Sequence, residues 1–354
     1  MIRLGVFDRL KDGRIIYSYT IYNTRGEYVQ LLNYGASIHK LCVRDRYGNI
    51  GDVVMGAADG RALEENMTYE GSTIGRVANR IKHGKCMLEG RELQLDCNMA
   101  GHFLHGAGGN YAHRLFEASA DEEKNTVSFH VYDEGRGGFD CGVDVTVAFC
   151  LDDDARLSVT YDFVPEDTTI ICPTNHVYFN LSGKDARDQI LQVYTDKRAC
   201  RDEEGLPCGG TENVKGTPAD FTVPRTIRAG MEQNNLTGKP YFDRLPKRYD
   251  EFYVLPEGHK GPAAKLYDPE SGRELKVYTD MEALIIFNNI EQKPSAGKDG
   301  IVYEGYCGLS LETQFVPNAV NCPGFSQPVF HKGERFRSTT SYAFSVREKG
   351  RSRE

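Results

Sequence analysis

The 354-residue chain contains no tryptophan, and none of its ten cysteines forms a Cys-x-x-Cys pair, so the zinc-ribbon pattern is absent. A basic surplus is also missing. The formal net charge is −8, which argues against nucleic acid or an anionic membrane as the main partner, because both are bound through basic patches. The longest apolar run, Ala283–Phe287, is far too short to span a bilayer. The opening stretch MIRLGVFDRLKDGRII breaks its apolar residues with charges every few positions, so it holds no apolar core of signal-peptide length. These absences lead to the expectation of a cytoplasmic protein, neither exported nor inserted in a membrane. Its thiols are expected to be reduced, many of them serving as small buried hydrophobes. No glycine-rich dinucleotide fingerprint occurs, and no long stretch keeps a helical period.

What the sequence has instead is a period of two. Val143, Val145, Val147, Phe149 and Leu151 alternate with polar or small residues. After a turn at 152–155 the pattern resumes at Leu157, Val159, Tyr161 and Phe163, and upstream it covers Val127, Phe129 and Val131. This spacing predicts three consecutive antiparallel strands with one face buried. The same pattern recurs at Leu41 and Val43, at Leu275 and Val277, and at Tyr342, Phe344 and Val346, with 37 glycines and 14 prolines for the turns. The expected fold is all-β, with many short strands in packed sheets and helical turns only near 60–66 and 229–234. No repeat and no linker composition divides the chain, so residues 1–354 are expected to form a single domain. Residues 198–220, rich in Gly, Pro and charge, are expected to be a binding loop. The charged tail at 347–354 is expected to be a solvated end.

Four polar stretches interrupt sequence otherwise suited to burial. TNHVYFNLSG at 174–183 sets His176 within a strand-like segment, where a histidine is ordinarily a packed residue with a satisfied hydrogen bond. GRVANRI at 75–81 offers two arginines and Asn79, either as a solvated turn or as a donor fork for hydroxyls or a carboxylate. HFLHGAGG at 102–109 pairs His102 with His105 at a spacing open to metal, or forms a loop whose glycines let a ligand approach the backbone. LETQFVP at 311–317 places Glu312 in a strand, where it could equally face solvent.

Together, and in this order, GRVANRI, the LHG of 104–106, TNHVYFNLSG and LETQ resemble the aldose 1-epimerase (galactose mutarotase) family. NYGASI at 33–38, DVVMG at 52–56, GTPADF at 216–221 and PNAVN at 317–321 extend the resemblance over nearly the whole chain. It implies a large β-supersandwich that interconverts the α and β anomers of free aldohexoses. It further implies that Glu312 is the base and His176 the acid. Asn79, Arg80, His105 and Asp250 would bind the sugar, with no metal and no cofactor. The implied partner is a small-molecule sugar; the oligomeric state is left open.

The chemistry accords with that reading. Opening a cyclic hemiacetal takes a proton from the anomeric hydroxyl and delivers one to the ring oxygen, which a carboxylate and an imidazole can do together. Reference pKa values of about 4.3 and 6.5 make that pair most abundant between them. At neutral pH, then, either a nearby carboxylate keeps His176 partly protonated or the neutral imidazole donates.

The chain also departs from the family pattern. Ile285 stands where a glutamine is usual, and the glycines after the LHG histidine are loosened to Gly-Ala-Gly-Gly. Leu115 or Phe116 takes the place of a tryptophan, and Glu-Phe follows Asp250. These changes leave the sugar open, with galactose or glucose the default. Three rival readings remain. An epimerase of a phosphorylated or modified sugar would need extra cations such as Lys82 and Lys85. A non-catalytic carbohydrate-binding module would be expected to lose Glu312 or His176. A zinc hydrolase would use His102 and His105.

Overall fold

The computed structural model describes residues 1–65, 68–233, 248–288 and 294–348. The three strands expected from the alternating valines form a continuous antiparallel ladder, Thr126–Asp133, Val143–Leu151 and Arg156–Pro165. Their inward residues Phe129, Val147 and Val159 are fully buried. This ladder lies toward one edge of a nine-stranded sheet. The long strand Phe336–Val346 and then Arg273–Thr279 continue it on one side. A five-stranded sheet is built from the first 52 residues, running from Ile2–Arg9 to Ile50–Asp52.

A six-stranded sheet holds Tyr178–Phe179, Leu309–Gln314, Ala283–Phe287, Asp250–Val254, Lys197–Arg201 and Pro207–Asn213, in that order. One of its faces belongs to the main core. Leu309, Leu311, Leu284, Ile286 and Tyr253 pack in a common cluster with Val145 and Val147 of the large sheet and Val29 and Leu41 of the five-stranded one. Because successive strand residues point to opposite faces, the alternate set on the same strands turns away from that core. That set comprises Glu312, Ile285, Phe287 and Asp250. The registers Ile285↔Glu312 and Asp250↔Phe287 put these side chains on one surface.

Helix is confined to short pieces, including Gly60–Glu65 and Ile227–Glu232, close to the turns expected there. Among the described residues, no helix is long and apolar enough to cross a membrane. All ten cysteines are free, and four of them are buried. The tail expected to be a solvated end lies outside the described residues beyond 348.

Two expectations are corrected. Residues 198–220 are mainly a β-hairpin rather than a binding loop. Lys197–Arg201 pairs with Pro207–Asn213, and Arg198 ties the hairpin inward by bonds to Glu212 (2.9 Å) and Glu251 (3.1 Å). Charge in this segment is spent on ion pairs within the fold, which composition alone does not distinguish from solvated charge.

The two arginines of GRVANRI also separate. Arg76 is 1% exposed and bonds Asp133 at 2.9 Å, the Thr169 hydroxyl at 3.1 Å and the Cys141 carbonyl at 2.8 Å, with its guanidinium over Phe139. The Tyr111 hydroxyl donates to the same Asp133 carboxylate. This network anchors the segment that carries Asn79 and Arg80. Asp133→Ala strands a buried guanidinium and should cost about 3–5 kcal/mol, read as a lower denaturant midpoint.

Candidate active site

Glu312 lies on an interior strand of the six-stranded sheet and is 2% exposed. Its Oε1 accepts the Ser310 hydroxyl at 3.3 Å, while Oε2 has no protein partner among the described residues. Facing it is His176, whose Nε2 is 3.4 Å from Oε1.

The histidine is held by its backbone. Its N–H donates to Ser72 O at 2.8 Å, and its carbonyl accepts from Gly71 N at 3.0 Å. On either side of this clamp, the Thr174 hydroxyl bonds the Thr313 carbonyl of the Glu312 strand, and the Asn175 amide bonds Gly71 O. Gly71 makes the clamp possible. At φ 72° a Cβ there would sit 2.0 Å from the Ile38 carbonyl oxygen, so only glycine lets the segment approach so closely. Tyr178, Phe287, Tyr69 and His105 surround the imidazole with ring centroids 5.1–6.2 Å away. The ring therefore has little freedom to turn.

His105 has a fixed tautomer. The Asn79 backbone N–H donates to its Nδ1 at 3.1 Å, and the His105 N–H returns a bond to the Asn79 carbonyl at 3.0 Å. Burial holds the ring neutral by pushing its pKa well below the usual range. The one ring proton is therefore on Nε2, available as a donor. Both residues have left-handed backbone (φ 61° and 52°), which non-glycine residues rarely adopt and which concentrates at functional sites. Arg80 follows, its Nη1 3.5 Å from Asp250 Oδ2. Asp250 is in turn held through its backbone carbonyl by Arg201, which lies on the hairpin.

All six residues singled out in the sequence, Glu312, His176, Asn79, Arg80, His105 and Asp250, line one cavity of about 460 Å³. That size is within the range of small-ligand pockets. The structure adds Tyr69, Met99, Arg248 and Phe287 to the wall. Tyr178 could have been found in the sequence, since it lies two residues beyond His176, and Phe287 likewise, since it lies two residues beyond Ile285 on the same strand face. Tyr69 and Met99 carried no such signal. Asn79 lines the cavity and also positions His105 through its backbone.

His102 and His105 do not form a pair. His102 accepts the His83 N–H on Nδ1 at 3.2 Å and turns Nε2 toward Glu204 at 3.4 Å. His83, His102 and Glu204 are grouped closely enough for a metal ion. In the neutral His102 ring, however, this tautomer puts a proton on Nε2, where a ligand would need a lone pair. Lys82 bonds Asp202 and Glu204, and Lys85 bonds Glu92, so neither is an unpaired cation at the site.

Burial inverts the expected protonation of the central pair. Desolvation, with Asp250 nearby, raises the Glu312 carboxyl to about 8, and desolvation lowers His176 to about 4. Over that interval the pair holds one proton, and the environment favours keeping it on the carboxyl. The alternative in which a carboxylate keeps His176 charged is not supported, because burial outweighs the nearby Asp250.

The model of the aldose 1-epimerase family matches residues 17–343. The chain belongs to the aldose 1-epimerase family, a family of isomerases. An aldose 1-epimerase of Escherichia coli (strain K12) is 29% identical over 341 residues, covering 94% of this chain and 96% of the relative. The galactose mutarotase of Rattus norvegicus is 32% identical over 324 residues, covering 90% and 91%. The crystal structure of galactose 1-epimerase from Lactobacillus acidophilus superposes with a TM-score of 0.84 at 26% identity, covering 98% of this chain and 99% of that one. The all-β architecture expected from the alternating valines is thus that of the family.

The raised Glu312 pKa carries a stability consequence. A carboxyl whose folded pKa lies above its unfolded value favours folding at low pH and loses that contribution as pH rises toward about 8. Glu312→Gln removes the buried ionisation. It should raise the melting temperature by several degrees at pH 9 and by much less at pH 5, as measured by calorimetry.

Proposed function

We propose that this site interconverts the α and β anomers of a free aldohexose by general acid–base opening and closing of the ring. The observation that carries this reading is the 3.4 Å approach of His176 to Glu312 in a sugar-sized cavity, with a carboxylate oxygen left unpartnered. In the opening step, ionised Glu312 takes the proton from the anomeric hydroxyl. The C1–O5 electron pair goes to the ring oxygen, which takes a proton from imidazolium His176. The products are an aldehyde, a neutral imidazole and a carboxylic acid. After rotation about C1–C2 the proton on Glu312 returns to the aldehyde oxygen, His176 takes the proton of the attacking hydroxyl, and the other anomer closes. Opening therefore leaves the pair in the protonation state that burial favours. The neutral His105 donor, Arg80 and Asp250 hold hydroxyls, and so keep the reacting carbon in place.

The remaining expectations form part of the same proposal. The chain works as one unit on a free sugar, without cofactor or metal, in a cytoplasm that keeps its ten free thiols reduced.

Two measurements test this. Polarimetry on freshly dissolved α-galactose and α-glucose should show enzyme-accelerated relaxation. Both Glu312→Gln and His176→Asn should lose at least about 100-fold in kcat, the scale of general acid–base catalysis. Most activity remaining in both variants would sink the assignment. The pH profile of kcat/KM should be a broad bell with limbs near 4 and 8, because the one-proton pair persists between the two shifted values. A bell confined between about 4.3 and 6.5 would mean the pair titrates as it does in water.

A further inference from the structure

Between the acid–base pair and the hydroxyl-holding Asp250 runs a strand that offers the substrate only hydrocarbon. Across the six-stranded sheet, Glu312 stands directly opposite Ile285, and Phe287 directly opposite Asp250. The Glu312 and Asp250 strands are therefore two strand spacings apart, about 10 Å, with Ile285 and Phe287 on the floor between them. Ile285 is 1% exposed and packs beside Phe252, its partner across the sheet, in an apolar cluster that also holds Ala283 and Val316.

The direction of the sugar follows from where His176 enters. Its neighbouring strand Tyr178–Phe179 pairs with the Glu312 strand along the edge opposite Ala283–Phe287. The order across the sheet is His176, Glu312, Ile285, then the Asp250 strand. The anomeric carbon at Glu312 has two ring neighbours, O5 and C2. With O5 at His176, C2 falls on the Ile285 side.

We propose that Ile285 leaves C2 unread, so that aldoses lacking the 2-hydroxyl are substrates on nearly equal terms with their 2-hydroxy parents. This rests on the anomer-interconverting reading above and narrows its substrate class. A pocket that hydrogen-bonds a hydroxyl rejects the analogue lacking it by large factors, because its own polar group is then left buried and unpaired. A hydrocarbon floor incurs no such penalty, and the C–H of a deoxy carbon suits it.

The test compares kcat/KM by polarimetry, each divided by the uncatalysed rate of that sugar, for galactose against 2-deoxygalactose and glucose against 2-deoxyglucose. The wild-type protein should treat each pair within about threefold. Ile285→Gln, similar in size but able to hydrogen-bond, should shift the ratio at least tenfold toward the 2-hydroxy sugar, in keeping with the discrimination available to a polar pocket. Ile285→Leu should leave the ratio where it was. The inference is overturned by a wild-type preference of about 100-fold or more for the 2-hydroxy sugars. A folded Ile285→Gln protein with an unchanged ratio overturns it as well. Should Ile285→Gln not fold, the wild-type ratio alone decides. Acceleration of neither member of any pair would instead remove the anomer-interconverting reading itself, an outcome distinct from fast galactose with slow 2-deoxygalactose.

Discussion

One proton shared between two desolvated groups governs this structure. A carboxyl and an imidazole buried together cannot both be charged cheaply unless they compensate each other, so the pair settles on a single proton over a wide pH interval. That state is useful only while the two groups stay within reach of the same small molecule. The surroundings supply that constraint. Glu312 is on an interior strand, and His176 is bonded through both its backbone N–H and its carbonyl to Gly71 and Ser72. Both residues are positioned chiefly by their backbones, and among the described residues Glu312 Oε2 and His176 Nδ1 have no protein partner. Unsatisfied buried polar atoms are costly. Both residues line the cavity, where the proposed sugar would lie beside them.

The two-faced sheet explains how so polar a cluster sits in an otherwise apolar molecule. Leu311 and Glu312 are adjacent, yet one joins the central core and the other faces the cavity, because strand side chains alternate. The same alternation separates Ile286 from Ile285 and Glu251 from Asp250. Glu251 is taken up by Arg198 and Arg201, and the Arg201 bond to the Asp250 carbonyl ties the hairpin to the cavity wall. The hairpin thus acts as a buttress. Its charges are the structural counterpart of those in the cavity.

Much of this was legible in the sequence, though unevenly. Period-two alternation locates the Thr126–Pro165 ladder because its inward positions are mostly apolar and its outward ones mostly polar or small. For the cavity sheet the same rule gives no guidance. Ala283–Phe287 is apolar on both faces, yet one face joins the core and the other turns toward the cavity. The six site residues could be named only through the family resemblance, since nothing local distinguishes a strand glutamate facing solvent from one facing an imidazole 136 positions away (312 minus 176). Arg76 and Arg80 show the limit of motif reading. They are four residues apart in one motif, yet one ends in a buried network and the other at the cavity. That outcome depends on Asp133 and Asp250, which lie far along the chain and are visible only once the sheets are assembled.

Protonation was the least accessible quantity, and the reason is physical. Solution values place the carboxyl below the imidazole, so a sequence argument assigns the proton to His176. Burial acts in opposite directions on an acid and a base, raising the one and lowering the other, and here it exchanges their order. Under the proposed ring opening, the resting proton sits on the group that gives it up before the step and receives it afterwards. On that proposal, the environment favours the protonation state that accompanies the open-chain sugar, the species shared by both anomers. Lowering that shared point serves both directions equally, as a catalyst of a reversible, nearly balanced interconversion requires.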